Sequence, residues 1–177
     1  VLLNKVKAHT DFKGEHESGL LKMIAIGIAK HKGASWFHMQ GFDTFAVRIT
    51  IVAKEFLKKM NVVFGVGVVQ NAYDEISEIE VMEKDKIVER DRELLKISKK
   101  RLAKLKFDNI DVLIVDRIGK NISGEGHDPN VTGGSFMPGF EDDFRTQKLF
   151  IRGLTEESHH NACGLGGADV TTRRCLN

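Results

Sequence analysis

The sequence predicts an α/β fold of two lobes, in which mixed or parallel sheets are flanked by helices. Short β-rich runs occur at residues 1–6, 62–69, 76–82, 110–116 and 148–153, and segments with helical spacing lie between them. Strands that alternate with helices are typical of α/β proteins. A long, highly charged helical segment at residues 84–106 predicts a linking helix between a first lobe at residues 1–83 and a second at residues 107–177.

Local patterns predict the elements of the first lobe. Residues 1–6 are short and β-rich, which predicts a strand, and the polar residues 9–17 predict a loop. Ser18 is a favourable N-cap, so the apolar residues 19–30 predict a buried helix that ends near Gly33. Residues 42–60 predict an amphipathic helix. The buried run 62–69 and the alternating run 76–82 predict a hairpin around a polar turn.

The second lobe contains fewer regular patterns. The continuous apolar run at residues 110–116 predicts a buried central strand of a parallel sheet, and residues 148–153 predict a further strand. Residues 119–140 are rich in glycine, asparagine and aspartate, and such a long loop is usually functional or mobile. Its polar side chains either face a substrate or lie on a flexible surface, and the candidates are Lys120, Asn121, His127 and Asp128.

Composition argues against several function classes. The 177 residues are 41% hydrophobic and include 27 basic and 25 acidic residues, so neither nucleic acid nor a membrane is an expected partner. No apolar run is long enough to span a bilayer, and no signal-peptide pattern occurs. Because two cysteines, Cys163 and Cys175, make no disulfide framework, we expect a reduced, cytoplasmic protein.

Three side chains near the start of the chain are candidates for a site. His9 follows the first predicted strand, and α/β folds bind ligands at the carboxyl ends of strands. Lys22 begins an apolar helix, where a lysine is rare unless it is paired or chemically active. His38 lies beyond the predicted end of that helix. Spacing alone favours the simpler interpretation of a loop histidine, a lysine that reaches solvent and a half-buried histidine.

These residues resemble a motif of the nickel-pincer lactate racemase family. That motif is a histidine, a loop with a phenylalanine, a Ser-Gly-Gly-x-Lys turn and a histidine beyond the next helix. The matching residues here are His9, Phe12, Ser18, Gly19, Lys22 and His38. The resemblance is closest over residues 1–82 and includes the hairpin GVGVVQNAYDEISEIEV. A longer loop after His9, and Leu20 in place of the second glycine, indicate a divergent branch.

The resemblance implies a racemase or epimerase of a small 2-hydroxy acid, which acts by reversible hydride transfer to a nickel-pincer nucleotide. Lys22 would carry this cofactor covalently, in a cofactor-binding turn with Ser18 and Gly19. His38 would be the nickel ligand from the protein, and His9 a catalytic acid or base. The site would lie in the cleft between the lobes.

Side-chain chemistry agrees with these roles. A lysine must be neutral to be acylated or thioacylated, and both burial and a helix N-terminus lower its pKa. A neutral imidazole is a good nickel ligand when a second group orients its other nitrogen. The neighbouring Asp11, Glu15 and Glu17 could support the ligands as orienting partners, but all three are expected to be solvated loop acids, and His16 is expected to lie on the loop surface.

Two other functions stay open from the residues alone. Glycine loops at Gly119 and Gly164 would suit a non-catalytic module that binds phosphate or a nucleotide. His31 and His38, seven positions apart, could belong to a zinc hydrolase. The chain starts at a valine within a strand-like run and ends in a helix-like start, so we expect an internal piece of a longer protein. A second catalytic histidine and a substrate-binding arginine would then lie upstream.

Overall fold

The computed structural model describes residues 1–135, 137, 140 and 145–176, and it has an α/β fold. The chain divides into two compact units, Val1–Ala103 and Lys104–Asn177. Each unit contains helices or helical turns and one three-stranded sheet. Within the described part of the chain, no helix combines the length and apolar character needed to cross a membrane.

The first unit has a mixed sheet of order β1-β2-β3. Strand β1 (Leu2–Lys5) pairs in parallel with β2 (Phe64–Gln70), and β2 pairs antiparallel with β3 (Ile76–Glu83), which confirms the predicted hairpin. Between β1 and β2 the chain forms α1 (Leu20–Lys22), a π-helical turn (Met23–Gly27), α2 (Lys30–Met39) and α3 (Phe45–Lys59). A short 3₁₀ turn (Lys84–Lys86) leads into α4 (Ile87–Arg101).

The helix predicted at residues 19–30 is shorter in the structure. Gly19, not Ser18, is its N-cap, and no side chain of the cap residue closes the helix end. The π-helical turn ends at Gly27, and α2 then begins at Lys30, whose φ of 54° breaks the helical path. His38 consequently lies inside α2, whereas the sequence placed it after the helix.

Glycines in β2 let helices pack closely against one face of the first sheet. A Cβ on Gly67 would lie 2.4 Å from Leu94 Cδ1, and one on Gly65 would lie 3.2 Å from both Ile87 and Leu20. Since side chains alternate along a strand, these two glycines and Val69 share the covered face. Strand β2 is therefore buried on that face alone, because the residues between them are only half-buried.

Helix α4 belongs to the core of the first unit, which corrects its prediction as a linking helix. Ile87, Leu94 and Leu95 are buried in the cluster that also contains residues of α1, α3 and β2. The two units divide after this helix, at Ala103. Its charge misled the prediction, because one face of a charged helix can still carry a complete apolar stripe.

The second unit has a parallel sheet of order β4-β5-β6, formed by β4 (Asn109–Val115), β5 (Arg145–Ile151) and β6 (Val170–Thr171). Strand β4 is an edge strand, so its prediction as a buried central strand was wrong. Val112 and Ile114 are 57% and 56% exposed. The core consists of Ile118, Leu149 and Ile151 with partly buried apolar neighbours. The described residues of the unit also form helix α5 (Pro129–Thr132) and the 3₁₀ turns Glu156–Ser158, Leu165–Gly167 and Arg173–Cys175.

The glycine-rich loop after β4 is fastened to the segment that follows β5. A Cβ on Gly164 would lie 1.6 Å from the Glu125 carbonyl oxygen, and one on Gly126 would lie 2.2 Å from that of Cys163. Both glycines have positive φ values, which other residues rarely adopt. These glycines therefore let two protein backbones pass each other. Residues 136, 138 and 139 of the predicted loop lie outside the described residues.

We expect Gly164→Ala to lower the free energy of unfolding of the second unit by about 3 kcal/mol, because the added carbon would overlap the Glu125 carbonyl. Gly166→Ala is the matched control, since no heavy atom of the described residues, its chain neighbours apart, lies within 4 Å of its added carbon. Thermal or urea unfolding of both variants measures the difference. Equal stability of the two variants would contradict the described packing.

Candidate functional site

The structure brings His9 and Lys22 into direct contact. Lys22 Nζ lies 2.5 Å from His9 Nε2, although the two residues are 13 positions apart. Both side chains are half-buried. The contact joins the loop after β1 to α1, because Lys22 is the last residue of α1 before the π-helical turn. Such turns within helices often occur at functional sites.

Hydrogen bonding to His9 indicates which group carries the proton in this contact. The backbone N–H of Asp11 donates to His9 Nδ1 at 3.0 Å, so Nδ1 must present a lone pair. In a neutral imidazole the other nitrogen, Nε2, then carries the hydrogen and is a donor. That donor faces Lys22, so the lysine nitrogen has to accept. An ammonium group has no lone pair, and the geometry therefore fits a neutral amine.

Electrostatics shift the pKa values of both His9 and Lys22 downward, which is the direction that disfavours their charged forms. The pKa of His9 is lowered to about 3, and burial is the largest cause, with smaller contributions from any positive charge at Lys22, Lys7 and His38. Burial also lowers the pKa of Lys22 below its ordinary value, against the raising effect of Asp11. Loss of water around an ionised group disfavours the charged form, which is the dominant cause for both residues.

Glu17 holds the loop that carries His9. Its side chain is 1% exposed, and its carboxylate accepts the backbone N–H groups of His9 at 2.8 Å and Gly14 at 3.0 Å. Lys99 Nζ, from α4, lies 2.6 Å from the same carboxylate. Glu17 therefore fixes the backbone of His9, and its prediction as a solvated loop acid was wrong.

Asp91 of α4 holds the start of α1. Its carboxylate, 1% exposed, accepts the Leu20 N–H at 2.6 Å and lies 3.0 Å from His16 Nδ1. A Cβ on Gly19 would lie 2.3 Å from Asp91 Oδ1, so only glycine permits this approach. The Gly19 carbonyl oxygen also accepts the Asn4 side-chain amide at 2.8 Å. This arrangement positions the turn that bears Lys22.

His38 lies in the same aromatic cluster as His9. Phe12 stacks on His9 with 4.3 Å between ring centroids and contacts Phe45 at 4.9 Å. His38 in turn contacts Phe42 and Phe45 at 5.7 and 5.6 Å. The charge of His38 also contributes to the lowered pKa of His9. The His38 side chain is exposed, which leaves its imidazole accessible to an incoming group.

The structure gives the predicted site residues different contacts. His9 and Lys22 touch, and His38 is joined to His9 through phenylalanines. Gly19 acts through its backbone and its missing side chain. Ser18 forms a backbone bridge with Lys7 in place of the predicted cap.

Sequence reasoning missed the buried pair of His16 and Asp91. His16 is 3% exposed, so its prediction as a surface residue was wrong. A usable signal existed in α4, where Asp91 follows Ile87 by four positions and precedes Leu94 by three. That spacing puts a carboxylate on the apolar face, where it needs a buried partner.

Polar side chains of the loop after β4 are bound within their own unit. Lys120 Nζ donates to the Gly124 carbonyl at 2.5 Å, and Asn121 Oδ1 accepts from Thr155 at 2.7 Å. Buried His127 contacts Thr132 at 2.8 Å, and the Asp128 side chain caps α5. These contacts favour a structural role for the four residues.

The stability of the protein should fall as the pH is lowered from 6.5 towards 3. Over this interval His9 binds a proton in the unfolded chain and not in the folded one, so unfolding takes up a proton. His9 alone would contribute at most about 1.4 kcal/mol per pH unit. Denaturant unfolding between pH 5 and 6.5 should show a smaller slope for His9→Gln. Exposed His31→Gln is the control, and an unchanged slope in His9→Gln would contradict the description.

Groups of three or more histidine, cysteine, aspartate or glutamate side chains suited to a metal ion do not occur among the described residues. Comparison of the chain with protein-family models, with curated proteins and with solved structures gives no match.

Proposed function

We propose that the chain forms part of a racemase or epimerase of a 2-hydroxy acid, in which Lys22 is the covalent attachment point of a nickel-pincer nucleotide. The observation that carries the proposal is the contact between Lys22 Nζ and His9 Nε2 at 2.5 Å, with His9 Nδ1 occupied by the Asp11 N–H. It supports a neutral lysine, the state in which an amine can be acylated or thioacylated.

The residues present fit this cofactor. Lys22 offers an amine whose pKa is lowered by burial, and His38 offers an accessible imidazole in the cluster that contains His9. One histidine is a sufficient protein ligand if the cofactor itself supplies the other donors to nickel. When bound, the group would supply a hydride acceptor for the substrate carbon.

His9 would act as the acid or base for the substrate hydroxyl. While Lys22 is a free amine, its lone pair holds the Nε2 hydrogen of His9. An acylated nitrogen is a poor acceptor, so attachment at Lys22 would free the Nε2–H of His9 to donate a hydrogen bond to the substrate oxygen. To take the hydroxyl proton at Nε2, the ring would have to adopt the tautomer with its hydrogen on Nδ1, which gives up the contact with the Asp11 N–H. Glu17 would keep the ring in place through the His9 backbone.

Expression in cells that also make the pincer nucleotide tests the proposal. The peptide that contains Lys22 should then carry the cofactor mass, bound nickel should approach one per chain, and the protein should interconvert the enantiomers of a 2-hydroxy acid. An unmodified Lys22 peptide in protein that shows this activity would overturn the attachment. Modification without activity on any 2-hydroxy acid would overturn the substrate class.

A further inference from the structure

A separate cleft of about 520 Å³ lies at the carboxyl edge of the parallel sheet in the second unit. Val115, Ile151 and Thr171 form one row across the three strands, so the residues that follow each strand meet at this edge. Open parallel sheets bind ligands here. The volume is within the range of small-molecule sites.

Three arginines line this cleft, one from the segment after each strand. They are Arg117, Arg152 and Arg174. Arg152 lies 2.6 Å from the Asp116 carboxylate. Within the described residues, Arg117 and Arg174 form no ion pair with a carboxylate. The cleft therefore presents two guanidinium groups that form no ion pair with a carboxylate among the described residues.

The segment after β5 shapes the rest of the cleft. His160 lines it from a left-handed backbone conformation, with φ of 64°, and His159 before it has φ of 48°. Non-glycine residues rarely adopt this conformation, and strained positions of this kind cluster at ligand sites. Gly153 forms part of the lining, so no side chain at that position fills the cleft. Glu156 adds a carboxylate.

We propose that this cleft binds a phosphate ester of a small hydroxylated molecule, the chemistry shared by sugar phosphates and nucleotides. Arg117 and Arg174 match the two negative charges of a phosphate monoester, and each guanidinium can bind two phosphate oxygens. A monocarboxylate would need only one of them. The cleft is larger than a bare phosphate, and Glu156 can accept hydrogen bonds from hydroxyl groups.

This site is distinct from both phosphate-binding loops that the sequence suggested. The space beside Gly164 is filled by the Glu125 carbonyl, and the space beside Gly119 by Thr155, Ser158 and Asn121 side chains. Neither glycine therefore has open space beside it in which a phosphate group could bind. The arginine cleft is also independent of the proposed racemase function, since it contains none of the residues assigned to that function.

Calorimetric titration of the full chain with ribose 5-phosphate and with adenosine monophosphate tests the proposal. We expect saturable binding of at least one of them, and ribose and lactate should not compete. Arg174→Gln and Arg117→Gln should each weaken binding about tenfold or more, because each removes charged hydrogen bonds. Arg173→Gln is the matched control, since it removes the same charge from the adjacent position, which does not line the cleft. It should change the affinity less than about twofold.

Several outcomes would overturn this site. They are no saturable binding of either phosphate ester, equal weakening by Arg173→Gln and Arg174→Gln, or displacement of the phosphate ester by lactate at similar concentration. A stronger response to adenosine monophosphate than to ribose 5-phosphate would support the site and identify a nucleotide as the ligand.

Discussion

Lys22→Met should abolish both cofactor attachment and racemase activity in protein made together with the pincer nucleotide. Methionine fills a similar volume but has no amine, so no covalent link can form. The fold should remain, because burial lowers the pKa of Lys22 and an ammonium at this position costs stability. We expect the free energy of unfolding at neutral pH to change by less than about 1 kcal/mol.

Nickel content, intact mass and racemisation rate measure this loss. Lys32→Met on the exposed part of α2 is the control, and it should retain all three. Full activity of Lys22→Met would show that the lysine is not the attachment point. Unfolding of this variant would instead point to a structural role, and His9→Gln would then separate catalysis from folding, since it keeps the lysine.

Asp91→Ala should lower the free energy of unfolding of the first unit by about 3–5 kcal/mol. The substitution leaves the Leu20 N–H and the His16 ring, both buried, without their carboxylate acceptor. Unsatisfied buried donors carry their full desolvation cost. Because Asp91 also fixes the turn at Gly19, the reactivity of Lys22 should fall in protein that remains folded.

Glu89→Ala on the same helix is the matched control. Glu89 is solvent-exposed and pairs with Lys86, so its removal should change the stability of the protein little. Urea unfolding of the two variants at pH 7 gives the comparison. A similarly small loss of stability in both variants would contradict the conclusion that Asp91 fixes the start of α1.

Local sequence patterns predicted those parts of the fold that depend on local interactions. The β2–β3 hairpin and the apolar side of α4 follow from alternation and helical spacing. The break between α1 and α2 does not, because a π-helical turn and the positive φ of Lys30 leave no mark on apolar periodicity. The edge position of β4 could not be predicted either, since an apolar run does not show how many neighbouring strands a strand has.

Parts of the candidate site could be predicted from the sequence for a different reason. Resemblance to a known motif assigned His9 and Lys22 to one site, whereas spacing alone favoured a loop histidine and a lysine that reaches solvent. The contacts that hold it in place join residues far apart in the chain: Asp91 is 71 positions from Leu20, and Lys99 is 82 from Glu17. Such pairs depend on how α4 docks on the sheet, so a local reading interprets Glu17 as a loop acid.

The ionisation state of Lys22 is the claim on which the proposed function depends most directly. Acetylation of Lys22 by limiting acetic anhydride, followed by peptide mass spectrometry across a pH series, reports the fraction of neutral amine. We expect the midpoint of this curve to lie lower in the folded protein than for the same lysine in urea-unfolded protein, because burial lowers its pKa. In His9→Gln the midpoint should change, since the contact at Nε2 is altered. Identical midpoints in folded and unfolded protein would contradict the neutral amine and the attachment chemistry built on it.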